Sequence, residues 1–390
     1  MSGARRLSLV LGFTQTLAWA TTFYTPAVIV GAAAQTLGES PTILLGGFSW
    51  SLLIAGLTSP RVGSWIDEAG GRGVLALSTI VMAFGLSVLA AWPSLLGWYI
   101  AWTIIGIGMA LGLYDAAFAT IGRLLGSGAR PTIVGVTLMA GFASTVGWPM
   151  GVGLVQLFGW RLTVLSYAAM LLAINLPLIL TLIPKPPAQA AAVASGGVIR
   201  ESAPRRGYLA FVLLAVFFSV RAGISAVISV HVLTLLQGIG LTAAAAVGIA
   251  AMFGPFQVAG RVLEWVFAKY IDPLTGSWIG AALLPLGVLG LLAGGPAMSF
   301  AVAYGMSNGI LTISRGTLPM HLFGARGYAT RLGKLALPPL LAQAIGPTLF
   351  APFVLSRSAA DVFTWVGITS AAALLCLLPL RYFSGRAGSG

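Results

Sequence analysis

Twelve long apolar stretches, separated by short polar or glycine-rich breaks, order the chain from end to end. They run over 7–31, 42–63, 74–92, 96–123, 131–157, 161–183, 207–236, 241–267, 274–294, 297–319, 332–355 and 360–382. Each approaches or exceeds the ~20 apolar residues with which a helix crosses the hydrocarbon core of a bilayer. Open sheets or loops at that depth would leave backbone groups unpaired at several kcal/mol each, so helices are predicted throughout. The rhythm breaks at 184–206, where Pro184, Lys185, Pro186 and Pro187 precede an Ala/Gly run and then Arg200, Glu201, Arg205 and Arg206. That segment reads as a flexible linker between an N-terminal six-helix bundle, 1–183, and a C-terminal one, 207–390. The predicted fold class is an all-α polytopic membrane protein, with about 12 transmembrane helices in two six-helix halves.

Composition agrees with the pattern. The chain is 58% hydrophobic and 7% charged, where a soluble domain averages about 25% charged, so lipid must solvate most of its surface. The 51 glycines and 21 prolines suit a bundle in which small residues let helices approach and kinks are tolerated. The net charge of +13 does not form a basic face for nucleic acid. With the amino terminus inside, Arg5, Arg6, Arg72, Arg123, Arg130, Lys185, Arg200, Arg205, Arg206, Lys269, Arg326, Arg381 and Arg386 fall on the cytoplasmic side, and Arg161 and Arg357 on the other. The positive-inside bias then predicts that both termini are cytoplasmic. The run after Arg5 and Arg6 continues to about Val30 and reads as a first transmembrane helix rather than a signal peptide. Cys376 is the single cysteine, so no intrachain disulfide is possible and no cysteine metal site is suggested. No phosphate-binding loop, catalytic serine or cysteine setting or zinc motif is present, and the methionines lack a soft-metal spacing. The reading is therefore no enzyme, no cofactor and no metal.

One hydrophilic passage stands out, Gly63-Ser64-Trp65-Ile66-Asp67-Glu68-Ala69-Gly70-Gly71-Arg72, expected as a tight cytoplasmic turn. It resembles the signature loop of the major facilitator superfamily, with Gly63, Asp67, Gly70 and Arg72 in register and Gly71 where that family usually carries a base. The halves also echo each other, as in transporters built from internal repeats. Gly108-Met109-Ala110-Leu111-Gly112 answers Gly305-Met306-Ser307-Asn308-Gly309, and Gly147-Trp148-Pro149 answers Gly346-Pro347. Within the superfamily, Leu37-Gly38 through Arg72, and Gly260-Arg261 in helix eight, look most like the monocarboxylate and oxalate/formate branch. That resemblance implies that Arg261 meets a substrate carboxylate. Trp102 stands where proton-driven drug exporters usually place an arginine, and Trp148 interrupts their Gly-Pro signature in helix five.

Charges at bilayer depth carry the functional reading, because each costs at least ~2.5–3.5 kcal/mol there and needs a partner, a wet cavity or a ligand. Arg221 lies roughly 20 Å into helix seven at 1.5 Å per residue, beyond snorkelling reach. A substrate or coupling role competes with a static ion pair to Asp115. Arg261 lies roughly 12 Å inside the end of helix eight, with Glu264 one turn on as a possible structural partner. Lys334 opens helix eleven, facing either the cavity or a loop end; Arg315 is expected to snorkel. Asp115 and Glu264 are the candidate proton-coupling carboxylates, with a permanent salt bridge as the alternative for Asp115. Trp148, Tyr24 and Trp102 are candidate cavity-lining aromatics, with packing as the alternative.

The deep charges favour cations, so a cavity between the halves should attract an anion. The expected function is secondary active transport of a small organic anion, a monocarboxylate or dicarboxylate, by alternating access, proton-coupled or exchanging. A drug or metabolite exporter of the same fold is the first alternative, and a non-transporting membrane sensor or assembly factor the second. The implied partners are the anion, protons or a counter-anion, and the lipid bilayer. Nucleic acid is not expected, and the chain should act as a monomer in a bacterial inner (cell) membrane.

Overall fold

The computed structural model describes residues 3–185 and 205–384. Most of the 184–206 linker lies outside the described residues, as do Arg200, Glu201 and Arg386. The chain divides into two compact units, one of Met1–Arg200 with Ala325–Leu337, the other of Glu201–Gly324 with Pro338–Gly390. The segment Ala325–Leu337, which the sequence reading placed in the second half, therefore counts with the first.

The first unit is built from α1 (Gly3–Thr21), α2 (Pro26–Leu37), α3 (Pro41–Ala69), α4 (Gly71–Ala91), α5 (Leu95–Gly112), α6 (Tyr114–Leu125), α7 (Ala129–Ala140), α8 (Ala143–Met170) and α9 (Leu176–Leu182). Several predicted spans turn out to be two helical pieces in series. The first breaks at 22–25, where Pro26 has no N–H to continue the ladder. The fourth breaks at Leu113, whose backbone is extended. The Gly112 carbonyl exposed by that break accepts a hydrogen bond from Gln15 Nε2 at 2.6 Å. The fifth breaks after Ala140 and resumes at Ala143. Gly159, at φ 74°, separates the fifth span from the sixth inside α8. Hydroxyl caps mark fresh starts: Ser40 accepts from the Ile43 N–H and Ser94 from the Gly97 N–H.

The second unit comprises α10 (Arg205–Gly238), α11 (Ala243–Ala251), α12 (Phe253–Phe267), α13 (Pro273–Leu292), α14 (Ala297–Phe323), the later part of α15 (Tyr328–Ser356), and α16 (Ala359–Leu375). Its core joins Val227 and Ile228 of α10, Leu284 of α13, Phe300 and Tyr304 of α14, and Phe363 and Val366 of α16. Glycines bring α12 and α14 together backbone to backbone. A Cβ at Gly260 would lie 2.6 Å from the Met306 carbonyl oxygen, and one at Gly309 would lie 2.2 Å from that of Gln257. Outside the spans, Asp272 caps α13 by accepting from the Leu274 and Thr275 N–H groups and the Thr275 hydroxyl. Partial burial alone would raise its carboxyl pKa, but those hydrogen bonds outweigh it and hold the group below the usual range.

Among the described residues, eight stretches are long and apolar enough to cross a membrane as they stand, one of them, Leu95–Leu182, running through three predicted spans. Large side chains such as Leu57, Phe84, Leu157, Leu289 and Leu355 remain exposed on these helices. Faces of that kind belong against lipid rather than water. The helix Ala297–Phe323 is 27 residues long but is not among those apolar stretches; polar residues such as Ser307 and Asn308 interrupt its apolar run.

Candidate functional site

The signature passage is not a loop. Gly63 through Ala69 continue α3, and the turn is the single residue Gly70, at φ 81° and ψ 161°, where a side chain would be strained. The reason lies in docking. A Cβ on Gly63 would sit 2.3 Å from the Ala329 carbonyl oxygen, and one on Gly333 2.4 Å from that of Ser59. The start of α15 thus lies flush against α3 within the first unit.

Asp67 Oδ2 accepts the Thr330 backbone N–H at 2.7 Å. Thr330 is in the first turn of α15, where amides have no intrahelical acceptor and a carboxylate meets the positive end of the helix dipole. Arg331 adds electrostatic attraction to the same carboxylate. Arg72 instead donates to the Leu180 carbonyl of α9, one of that helix's last-turn acceptors. Asp67→Asn keeps an acceptor but removes the charge, a loss of about 1–2 kcal/mol for a hydrogen bond to a charged group. Amide exchange at Thr330 should quicken by about tenfold; unchanged protection would show that Asp67 does not hold this segment.

Arg221, halfway along α10, is 5% exposed. Its Nη2 donates to Ser307 Oγ at 2.8 Å and to Asn308 Oδ1 at 3.3 Å, both on α14. Ser307 passes the chain on, donating to the Gly280 carbonyl of α13 at 2.5 Å. Tyr304, one turn earlier on α14, shares a hydrogen bond with Ser225 of α10 at 3.1 Å. Arg221 Nε, Arg221 Nη1 and Asn308 Nδ2 are buried and make no hydrogen bond. Both hydrogen-bond partners of the guanidinium are neutral, so among the described residues no carboxylate is bonded to it. Ser307, Asn308 and Tyr304 were not singled out as site residues in the sequence. The Gly305-to-Gly309 echo contains two of them, but only the packing of α10 on α14 gives them a role.

Arg261 and Glu264 are 6% and 7% exposed, one turn apart on α12. Glu264 lines a mostly apolar cavity of about 280 Å³ with Phe267, Gly276, Ile279 and Met306. Asp115 lies in the first turn of α6, directly after the break at Leu113. It lines a cavity of about 10 Å³, room for one water, together with Ser59, Gly63, Ala329 and Gly333. Tyr328, fully buried at the start of α15, is within electrostatic range of Asp115.

The aromatics separate in role. Trp148 is 49% exposed and meets Tyr24 edge to face at 5.8 Å. Trp102 is fully buried beneath Phe48, with ring centroids 5.8 Å apart, and against Gly47. It offers no surface to a ligand here, because glycine at position 47 lets its indole sink into the bundle. Lys334 is exposed.

No protein-family model matches the chain. It is 26% identical over 329 residues to an uncharacterized 38 kDa protein from Thermoproteus tenax, covering 84% of this chain and 81% of that one. Solved structures match over nearly the full length. The proton:xylose symporter XylE aligns with a TM-score of 0.75 at 16% identity, covering 98% of this chain and 96% of its own. The Escherichia coli fucose:proton symporter FucP gives 0.71 at 13%, with 99% and 100% covered. The human organic anion transporter MFSD10 (TETRAN) gives 0.69 at 18%, with 97% and 100% covered. At such identities the likeness speaks for the fold, and together with the apolar helices it makes this chain an integral membrane protein with the major facilitator fold.

Proposed function

We propose that the protein is a secondary transporter of a small organic anion, and that Arg221 receives the anion's charged group. The observation that carries this reading is the buried guanidinium with two unused nitrogens beside the unused Asn308 amide. Such donors left unsatisfied at depth are costly. A carboxylate supplies acceptor lone pairs for all three and accepts the guanidinium fork in bidentate fashion. Neutral sugars would satisfy the hydrogen bonds but leave the charge. The similar structures include two proton:sugar symporters and one organic anion transporter, so fold does not choose among substrates; the buried guanidinium supports an anion. The resemblance of Gly260-Arg261 to the monocarboxylate branch supports the same class, with Arg261 as a second cation on α12.

Asp115 is the proposed proton carrier, since it combines a helix-break position with a water-sized cavity. Transporters of repeat architecture place coupling ions at such breaks. The test is uptake of labelled monocarboxylates, dicarboxylates and a neutral sugar into proteoliposomes under an imposed pH gradient. Carboxylate uptake without sugar uptake is expected. In Asp115→Asn, anion binding should stay near the parent value while uptake loses its response to the gradient. Sugar uptake alone, or flux of no solute, would overturn the reading.

A further inference from the structure

The cavity of about 280 Å³ beside Glu264 arises from how three helices meet within the second unit. Both α12 and α13 pack along α14, where missing side chains let the helices close up. Gly260 and Gly309 seat the first seam, and in the second a Cβ on Gly280 would lie 2.7 Å from Ile310 Cγ2. In contrast, α12 and α13 scarcely approach each other. A cleft is left between them, floored by Met306 and Ile310 of α14, with Glu264 and Phe267 on one wall and Ile279 on the other. Phe267 and Ile279 are each 46% exposed, so the cleft opens outward along apolar side chains. On membrane-spanning helices such an opening belongs to lipid.

One group does not suit a cleft for hydrocarbon. Glu264 is buried and ionisable, whereas every other lining residue is apolar. It reaches toward α13, where a Cβ on Gly276 would lie 3.0 Å and 3.3 Å from its two carboxylate oxygens. Glycine at that position leaves the carboxylate uncovered on the cavity side. A carboxylate has about four lone-pair sites, so bonds made within the protein still leave acceptors for a ligand. A hydrocarbon chain alone would lie against those oxygens without a hydrogen bond, at a desolvation cost. A two-chain phospholipid would bring its phosphate against a carboxylate. A single alkyl chain ending in an ammonium group suits both parts, giving charge-assisted donors to Glu264 and methylenes to the walls.

We infer that this cleft binds a single-chain amphiphilic amine entering from the bilayer, with its ammonium group on Glu264 and its chain against Phe267, Ile279 and Ile310. The inference does not depend on the organic-anion reading of Arg221.

The test is saturable binding of labelled octylamine and labelled octanol to the full chain in phosphatidylcholine nanodiscs, with empty nanodiscs subtracted. Octylamine should bind about tenfold more tightly than octanol, the size of one hydrogen bond to a charged group. Glu264→Gln keeps the shape but removes the charge, and should bring octylamine down to the level of octanol. Gly276→Ala sets a methyl against the carboxylate, where its nearest neighbours are the flexible Glu264 atoms. It should weaken octylamine and spare octanol, and it decides alone if Glu264→Gln does not fold. Ile279→Trp, at a half-exposed position, fills the cleft and should weaken both probes. Absence of saturable octylamine binding, equal affinity for octanol, or parent-like octylamine affinity in the folded Glu264 and Gly276 variants overturns the inference. Displacement of octylamine by phosphatidylethanolamine at equal concentration would give the cleft to a phospholipid headgroup and overturn the single-chain assignment.

Discussion

Arg221→Ala should weaken organic-anion binding by at least thirtyfold while leaving the protein as stable as its parent, or more so. The affinity loss follows from removing one partner of a desolvated charge pair, about 2–5 kcal/mol. The stability gain follows from the same burial. In the unliganded protein Arg221 has two neutral partners and two unused nitrogens, so deleting it removes an uncompensated charge from bilayer depth. Sites built for ligands commonly cost stability in this way. Arg221→Lys keeps the charge but loses the planar fork, and should fall between parent and alanine variant. Anion titration and thermal unfolding of the same detergent-solubilised samples check both halves of the expectation. Parent-like affinity in Arg221→Ala would remove this residue from the site. A large drop in melting temperature with folded yield lost would recast it as structural.

Gly333→Ala should release the start of α15 from α3. The added methyl would lie 2.4 Å from the Ser59 carbonyl oxygen and 3.1 Å from the Gly63 Cα. Those are backbone atoms in helices and cannot swing aside, so the segment Ala325–Leu337 must shift as a whole. Overpacking of this kind costs about 1–3 kcal/mol, and the Asp67–Thr330 hydrogen bond would be strained with it. Hydrogen exchange over Tyr328–Leu337 should accelerate, and the mutation should be largely redundant with Asp67→Asn at Thr330, because both act on one docked segment. Gly73→Ala is the control, since nothing lies within 4 Å of the Cβ it would add. Normal protection in Gly333→Ala would mean that the glycine is not needed for the seam.

Much of this was legible along the chain. Hydrophobic run lengths alone locate the spans, because lipid penalises unpaired backbone so heavily that only helices remain. The cost of charge at depth picks out Arg221, Arg261, Asp115 and Glu264, and all four are buried or half-buried. What failed was anything that depends on which face of a helix meets which neighbour. Trp102 reads like a cavity wall but lies in the core, because Gly47 on another helix makes room for it. The signature passage reads like a turn because glycines and charges usually make one, yet its glycine at 63 is spent on close approach to α15.

The sequence by itself determined that this is a helical membrane protein, since that follows from local apolarity and from the scarcity of charge. Only the tertiary structure decided that Arg221 is held by Ser307 and Asn308 with donors to spare, that Asp67 caps a helix 263 residues away, and that Ala325–Leu337 joins the first unit. The physical reason is common to all three. Hydrogen bonds and backbone contacts between helices are set by rotation and register in space, and neither is written in the spacing of residues along one helix.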